Sequence, residues 1–451
     1  MNYFAERPAH SWMIILTLLI SLTMLVLPHP LLFVILALVP IGLFIVVRLS
    51  VVMVLLFIIF SFFRLHEAIP VLMPLKLPLL LALASLFVFA MRLFIFRDMK
   101  VDWPKEFTLF TLFLVVILLG ILFAQNKPEA VKYLKDIYIK IYLMTPIGYW
   151  MLKRPDEFKT LLLMILAAGT VIAIKAISNK VLGIGLIEGT RVTIARELGS
   201  ALGDPNDLSL VLLFPLAYAI SGFLHTSKKS WKYLVGAVAV LLIVAIIMTQ
   251  SRGGVLGVTS IVGYFSYRHI KSKVAFLSIS AVAFIALLTV AGVSDRQTTQ
   301  ANEGELDASA QGRLYAWQTA WNMALDNPAL GVGMENYYYN YFYYTPHWDG
   351  KNHVVHSTWF NVLSETGFIG FGLFMAILFL LFNRTRQLAS DVDSKAPLPI
   401  RIMCHASTPA LLGFAISGTF LTQSFTWPLY LQMVIILALY RYLKQSASAN
   451  E

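Results

Sequence analysis

Apolar and polar positions alternate along this chain in long blocks rather than with the short period of an amphipathic helix or strand. Apolar runs of roughly 15 to 21 residues recur from end to end, each long enough or nearly so to cross a hydrocarbon layer about 30 Å thick. Lipid offers the backbone no hydrogen-bond partners, so such spans must be helices. About fourteen segments are expected, centred near residues 20, 38, 56, 87, 115, 144, 168, 216, 240, 260, 283, 374, 415 and 435. Two near the N-terminus lie close enough to form one broken unit, which makes the expectation 12 to 14 transmembrane helices in an all-α, multi-pass protein. The run Trp12 to Leu27 passes through Pro-His-Pro directly into the next apolar run without a small-residue cleavage site, so an uncleaved first span is expected.

Composition agrees. Of 451 residues, 58% are hydrophobic and only 13% charged, too apolar for a water-soluble fold of this size. Lys and Arg exceed Asp and Glu by 35 to 24. In a membrane protein that excess marks loops facing anionic lipid, and no nucleic-acid partner is expected. The one cysteine, Cys404, excludes an internal disulfide or a CxxC site.

The charges also set the topology. Basic clusters occur at Arg92, Arg97, Lys100 and Lys105; at Lys153, Arg154 and Lys159; and at Lys228, Lys229 and Lys232. Others follow at Arg268, Lys271 and Lys273, at Arg384 to Arg401, and at Arg441 and Lys444. Strict alternation of fourteen spans places all of them on one side, the cytoplasm by the positive-inside rule. The opposite, periplasmic-type side receives residues 64–77, 125–134, 179–206, the turn Thr249–Arg252 and a long hydrophilic loop. Three regions are expected: membrane helices over 1–292, an outer loop with an amphipathic helix over 293–356, and C-terminal membrane helices over 357–451.

The outer side concentrates unusual groups. Arg191 and Arg196 precede a helix beginning near Asp207, with Asp204 as its cap; Ser251 and Arg252 open a second; His356 and Ser357 open a third. Each of these N-termini presents unpaired N–H groups and partial positive charge on the same face, a setting suited to phosphate or diphosphate. Anchoring of helix ends at the headgroup layer is the plainer reading for any one arginine. His356 is a candidate general base, Ser357 a helix cap.

In the long loop, apolar residues at helical spacing from Arg313 to Leu325 predict a short amphipathic helix closed by Asn327-Pro328. After it, Tyr337, Tyr338, Tyr339, Tyr341, Tyr343, Tyr344 and Trp348 suit either an interfacial belt or stacking on sugar rings. His347, Asp349, His353 and His356 fit no tight metal-ligand spacing, and no metal or cofactor is expected. Arg64, His66 and Glu67, in a proline-interrupted turn, form either a re-entrant lining or a self-paired polar connection.

His356-Ser357, nine residues, then Gly367-Phe368-Ile369-Gly370 resembles the H[N/S/Q]x₉Gxx[G/T/V] motif of the O-antigen ligases, the WaaL-like or Wzy-C superfamily. Arg191 with Gly-Asp-Pro-Asn ending at Asn206, TQSRGG around Arg252, and the stretch from Gly312 to Gly333 resemble it too. Together they span about residues 185–372. The resemblance implies a GT-C-like, inverting, metal-independent glycosyltransferase of the bacterial inner membrane with its site facing the periplasm. Its donor would be a glycan on polyprenyl (undecaprenyl) diphosphate, its acceptor a sugar hydroxyl of lipid A-core. His356 would be the base, and Arg191, Arg252 and, less directly, Arg313 or Arg196 would hold the diphosphate. Ser357, Gly367, Gly370, Asn206, His353 and Tyr338 would support the site. Alternatives within the superfamily are an O-antigen or polysaccharide polymerase and a protein O-oligosaccharyltransferase; outside it, a lipid-linked glycan flippase.

Overall fold

The computed structural model describes residues 44–274, 276–278 and 308–448, with single positions at 18, 21, 38, 42 and 281. The first apolar runs, the span near 283 and residues 293–307 lie outside the described residues. In chain order the helices are α1 (Ser50–Phe63), α2 (Leu77–Ala90), α3 (Lys105–Phe123), α4 (Lys127–Tyr133), α5 (Ile139–Met151) and α6 (Pro155–Leu182). A two-residue ribbon, β1 (Leu186–Ile187) and β2 (Arg191–Val192), precedes α7 (Pro205–His225), α8 (Lys229–Met248) and α9 (Arg252–His269). Then come α10 (Ala308–Asp326), α11 (Tyr337–Tyr344), α12 (Thr358–Asp391), α13 (Leu398–Gly418) and α14 (Trp427–Ser448).

The protein is an all-α multi-pass membrane protein. Seven described helices are long and apolar enough to cross a bilayer. The other expected segments among the described residues are helical too, but α1 has only 14 residues, α4 and α5 are joined through a π turn at Leu134–Tyr138, and α9 is rich in glycine. The long outward-facing apolar faces of α2 and α8, with Leu79, Leu80, Leu83, Leu234 and Val240 exposed, are what lipid-facing helices require. The interior is aromatic: Phe110 stacks on Tyr430 at 4.8 Å, and Phe113 stacks on Phe425 at 6.1 Å.

Contacts sort the polar groups onto two ends as the charge count predicts. At the basic end Arg441 donates to Asp102 and to the Tyr149 and Leu152 carbonyls, while Arg384 pairs with buried Glu106 at 2.8 Å. At the other end the turns after α1, α3, α6, α8, α10 and α13 are tied together, and the candidate residues lie there.

Candidate active site

The N-termini of α7, α9 and α12 are formed as their cap residues dictate. Asp204 accepts from the N–H groups of Asn206 and Asp207, Ser251 from that of Gly254, and Ser357 from that of Phe360 at 3.5 Å. Pro205 sits at the first helical position, where its missing N–H costs nothing. Glycines bring α9 against α7: a Cβ on Gly254 would lie 2.7 Å from Ser209, and one on Gly257 would lie 2.2 Å from Leu213.

Arg191, on β2, joins two of these ends. Its guanidinium donates to the amide oxygen of Asn206 in the first turn of α7, at 3.0 Å, and to the carbonyl of Thr249 just before α9, at 3.3 Å. It is 9% exposed, with Glu188 at 4.0 Å. Arg196 instead donates to the Gly203 carbonyl at 3.1 Å, closing its own loop, where a Cβ on Gly203 would lie 2.7 Å from the Arg196 Cα. Of the two arginines, Arg191 is the one positioned between the helix ends. Arg252 begins α9, half-buried, directly after the Ser251 cap.

His356 sits in the left-handed region, φ 47°, immediately before the cap of α12. Burial lowers its pKa, the Arg313 guanidinium lowers it further, and Asp204 works in the opposite direction. The neutral imidazole is thus favoured over the charged one, between a cation on α10 and the carboxylate that caps α7. Arg313 also lies over the Phe420 ring at 5.9 Å. His353 makes a 2.8 Å bond to Asp349 and also acts electrostatically on His356, while His347 lies against Tyr315. Tyr338 is 47% exposed on α11, packed on Tyr339.

Gly370 allows a close approach to α3, as an i, i+3 glycine pair suggests, but Gly367 has a different role. Gly367 breaks α12, with φ 65° and ψ −171°. The Asn327–Gly333 stretch docks on that break. Phe368 N–H donates to the Pro328 carbonyl, Val332 N–H to Ser364 and Gly333 N–H to Glu365. A Cβ on Gly367 would meet Pro328 O at 2.6 Å, and one on Gly331 would meet Ser364 O at 2.4 Å. Gly370 faces Thr366 and Val116 of α3. Two motifs far apart in sequence are therefore one interlock, which fixes α10 and the outer loop on the helix that begins at His356.

Three features were not anticipated. The tyrosine run is itself a helix, α11. Buried Glu365 accepts from the N–H groups of Glu335 at 2.8 Å and Tyr337 at 3.1 Å, which anchors its start. The linker Ser417–Trp427 is a hub: Gln423 donates to Asp207 at 2.6 Å, Thr358 to the Leu421 carbonyl, and Ser424 to Asn361 and the Thr358 carbonyl. Its run of Thr, Gln and Ser between two apolar helices is the signal that marks it. Beside the hub opens a cleft of about 750 Å³ with apolar walls from α1, α2 and α14. Arg64, His66 and Lys76 stand at its edge and Asp207 and Gln423 in its wall. Arg64 both pairs with Glu67, at 2.5 and 2.6 Å, and lines this cleft, so the two readings of that turn hold together.

Residues 237–375 match the family model described as O-antigen ligase. Over that segment the chain is similar to the O-antigen ligase family. The segment contains Arg252, Arg313, His356, Gly367 and Gly370, while Arg191, Arg196 and Asn206 precede it. None of the curated proteins matches the chain.

Proposed function

We propose that the protein is an O-antigen ligase-type glycosyltransferase acting at the periplasmic face of the bacterial inner membrane. The observation carrying this reading is the joint seat of Arg191 on the starts of α7 and α9, with neutral His356 between Arg313 and the α7 cap. The donor is a glycan on polyprenyl diphosphate, of which undecaprenyl is the bacterial form, and the acceptor is a hydroxyl of lipid A-core. His356 takes the proton of the acceptor hydroxyl as its oxygen bonds to the anomeric carbon. On the opposite side the bond from that carbon to the diphosphate oxygen breaks, so the configuration inverts. The diphosphate leaves with its electron pair, and Arg191, Arg252 and Arg313, with the helix N-termini, stabilise that charge. The apolar cleft supports a substrate that keeps its lipid chain in the membrane while its headgroup reacts. The outer loop 293–356 would then close the site between the membrane helices of 1–292 and 357–451.

A strain lacking the gene tests the reading. Loss of all capped lipopolysaccharide, with polymerised lipid-linked glycan still present, is the ligase result. A single repeat unit still attached to the core identifies a polymerase, and unchanged lipopolysaccharide with unglycosylated protein identifies a protein glycosylation enzyme. Purified protein that forms no glycosidic bond from lipid-linked donor and acceptor would instead point to transport.

A further inference from the structure

At the basic end, far from the candidate active site, α7, α9 and α13 enclose a second cavity of about 190 Å³. His225, Tyr264, Phe265, Arg268, His269 and His405 line it. The His225 and His405 rings stack face to face, centroids 4.3 Å apart and planes within 6°. Nδ1 of His225 donates to the Ser221 carbonyl and Nδ1 of His269 to the Phe265 carbonyl, both at 2.8 Å. These bonds fix the ring orientations and leave Nε2 as the polar atom each ring can offer elsewhere.

The charged side chains acting on both members of the stacked pair are Arg268 from α9 and Arg401 from α13. Arg268 also donates to the Tyr264 hydroxyl at 3.3 Å. Arg401 lies one turn before His405 on α13, and its Nε is buried without a hydrogen-bond partner among the described protein atoms. Lys228, Lys229, Lys271 and Lys273 crowd the same edge, all exposed.

We propose that this cavity is a binding site for the phosphate of an anionic phospholipid headgroup in the leaflet at the basic end. A phosphodiester oxygen can accept from Arg268 and from Nε2–H of a neutral His405, both of which line the cavity. Its charge would offset a concentration of cations that otherwise repel one another. The cavity opens between spanning helices beside buried Phe265, where a headgroup arrives with its acyl chains already in the membrane. Nothing in this site depends on the proposed glycosyl transfer.

The test is native mass spectrometry of the full-length purified protein in detergent, with added phosphatidylglycerol, phosphatidylcholine or inorganic phosphate. Retention of phosphatidylglycerol over phosphatidylcholine, reduced about tenfold or more in Arg268→Gln and in His405→Gln, is the expected result. Arg268 is exposed, so its variant keeps the test decisive should His405→Gln fail to fold. Equal retention of the two lipids, wild-type retention by the Arg268→Gln protein, or displacement of phosphatidylglycerol by millimolar inorganic phosphate would overturn the proposal. Each readout is of binding, so failure here is distinct from failure of glycan transfer.

Discussion

The two ends of the helix bundle hold their arginines differently. At the basic end Arg441 is held by Asp102, two carbonyls and the Tyr149 ring at 4.1 Å, and Arg384 by buried Glu106, Gln387 and the Tyr440 ring at 4.0 Å. Those guanidiniums are matched by carboxylates, as structural arginines at a membrane edge should be. At the outer end Arg191 donates to a neutral amide and a carbonyl and has the Glu188 carboxylate at 4.0 Å, Arg196 donates to a carbonyl, and Arg64 pairs with Glu67. Backbone strain divides the same way. Of the eight non-glycine residues with positive φ among the described residues, seven belong to outer turns: Arg64, Lys76, Glu188, Ala195, Gln250, Glu335 and His356; only Arg97 is at the basic end. Strain of this kind persists where surrounding contacts hold it, and it concentrates at functional sites. The difference in backbone strain supports placing the proposed chemistry at the outer end and anchorage at the other.

The sharpest way to break this contrast is to remove one arginine from each end. Arg191→Ala is expected to lower transfer by roughly 10²–10³ at unchanged protein level, the usual loss when one preorganised donor to a developing anion is removed. Arg441→Ala is expected to lower the amount of folded protein, with activity per folded molecule retained. Equal loss per molecule in both variants would erase the distinction. Next in size, Gly367→Ala forces a Cβ to 2.6 Å from the Pro328 carbonyl at a left-handed residue. The expected cost is about 1–3 kcal/mol each from strain and overpacking, seen as a lower thermal-inactivation temperature. Gly372→Ala, whose added Cβ would meet nothing within 4 Å, should be neutral.

A smaller, pH-dependent effect sharpens the electrostatics. As the proposed general base His356 must be neutral, and Arg313 is one of the groups holding its pKa below the ordinary value. Arg313→Gln therefore raises that pKa, and the acid limb of the transfer rate should move to higher pH, toward the usual histidine range. An unmoved limb would detach Arg313 from His356. The smallest effect belongs to Ser357→Ala, which removes a helix cap worth about 1 kcal/mol and should leave transfer within a few-fold of wild type. A loss as large as that for Arg191 would make Ser357 part of the chemistry.

Much of this end was legible in the sequence because its parts obey local rules. Asp204, Ser251 and Ser357 cap helices as short polar residues do, and Asn327-Pro328 closes α10. The alternation of basic clusters sorted the ends without any knowledge of contacts. Tertiary facts were not legible. Gly367 and Gly370 are spaced as in a close helix crossing, but Gly367 breaks α12 because a loop some forty residues earlier supplies the hydrogen bonds the break leaves unmade. Glu365 looks like an ordinary polar residue in an apolar run until its two N–H partners at the start of α11 are seen. The Ser417–Trp427 hub was passed over because its partners lie on α7 and at the start of α12, both distant in sequence.

The most direct test of the central claim is glycan transfer by purified His356→Ala protein, with lipid-linked donor and core acceptor supplied. Loss of transfer by roughly 10²–10⁴ across the pH range, with wild-type thermal stability and donor binding, is the expected result for a general base. Near-normal transfer by that variant would contradict it.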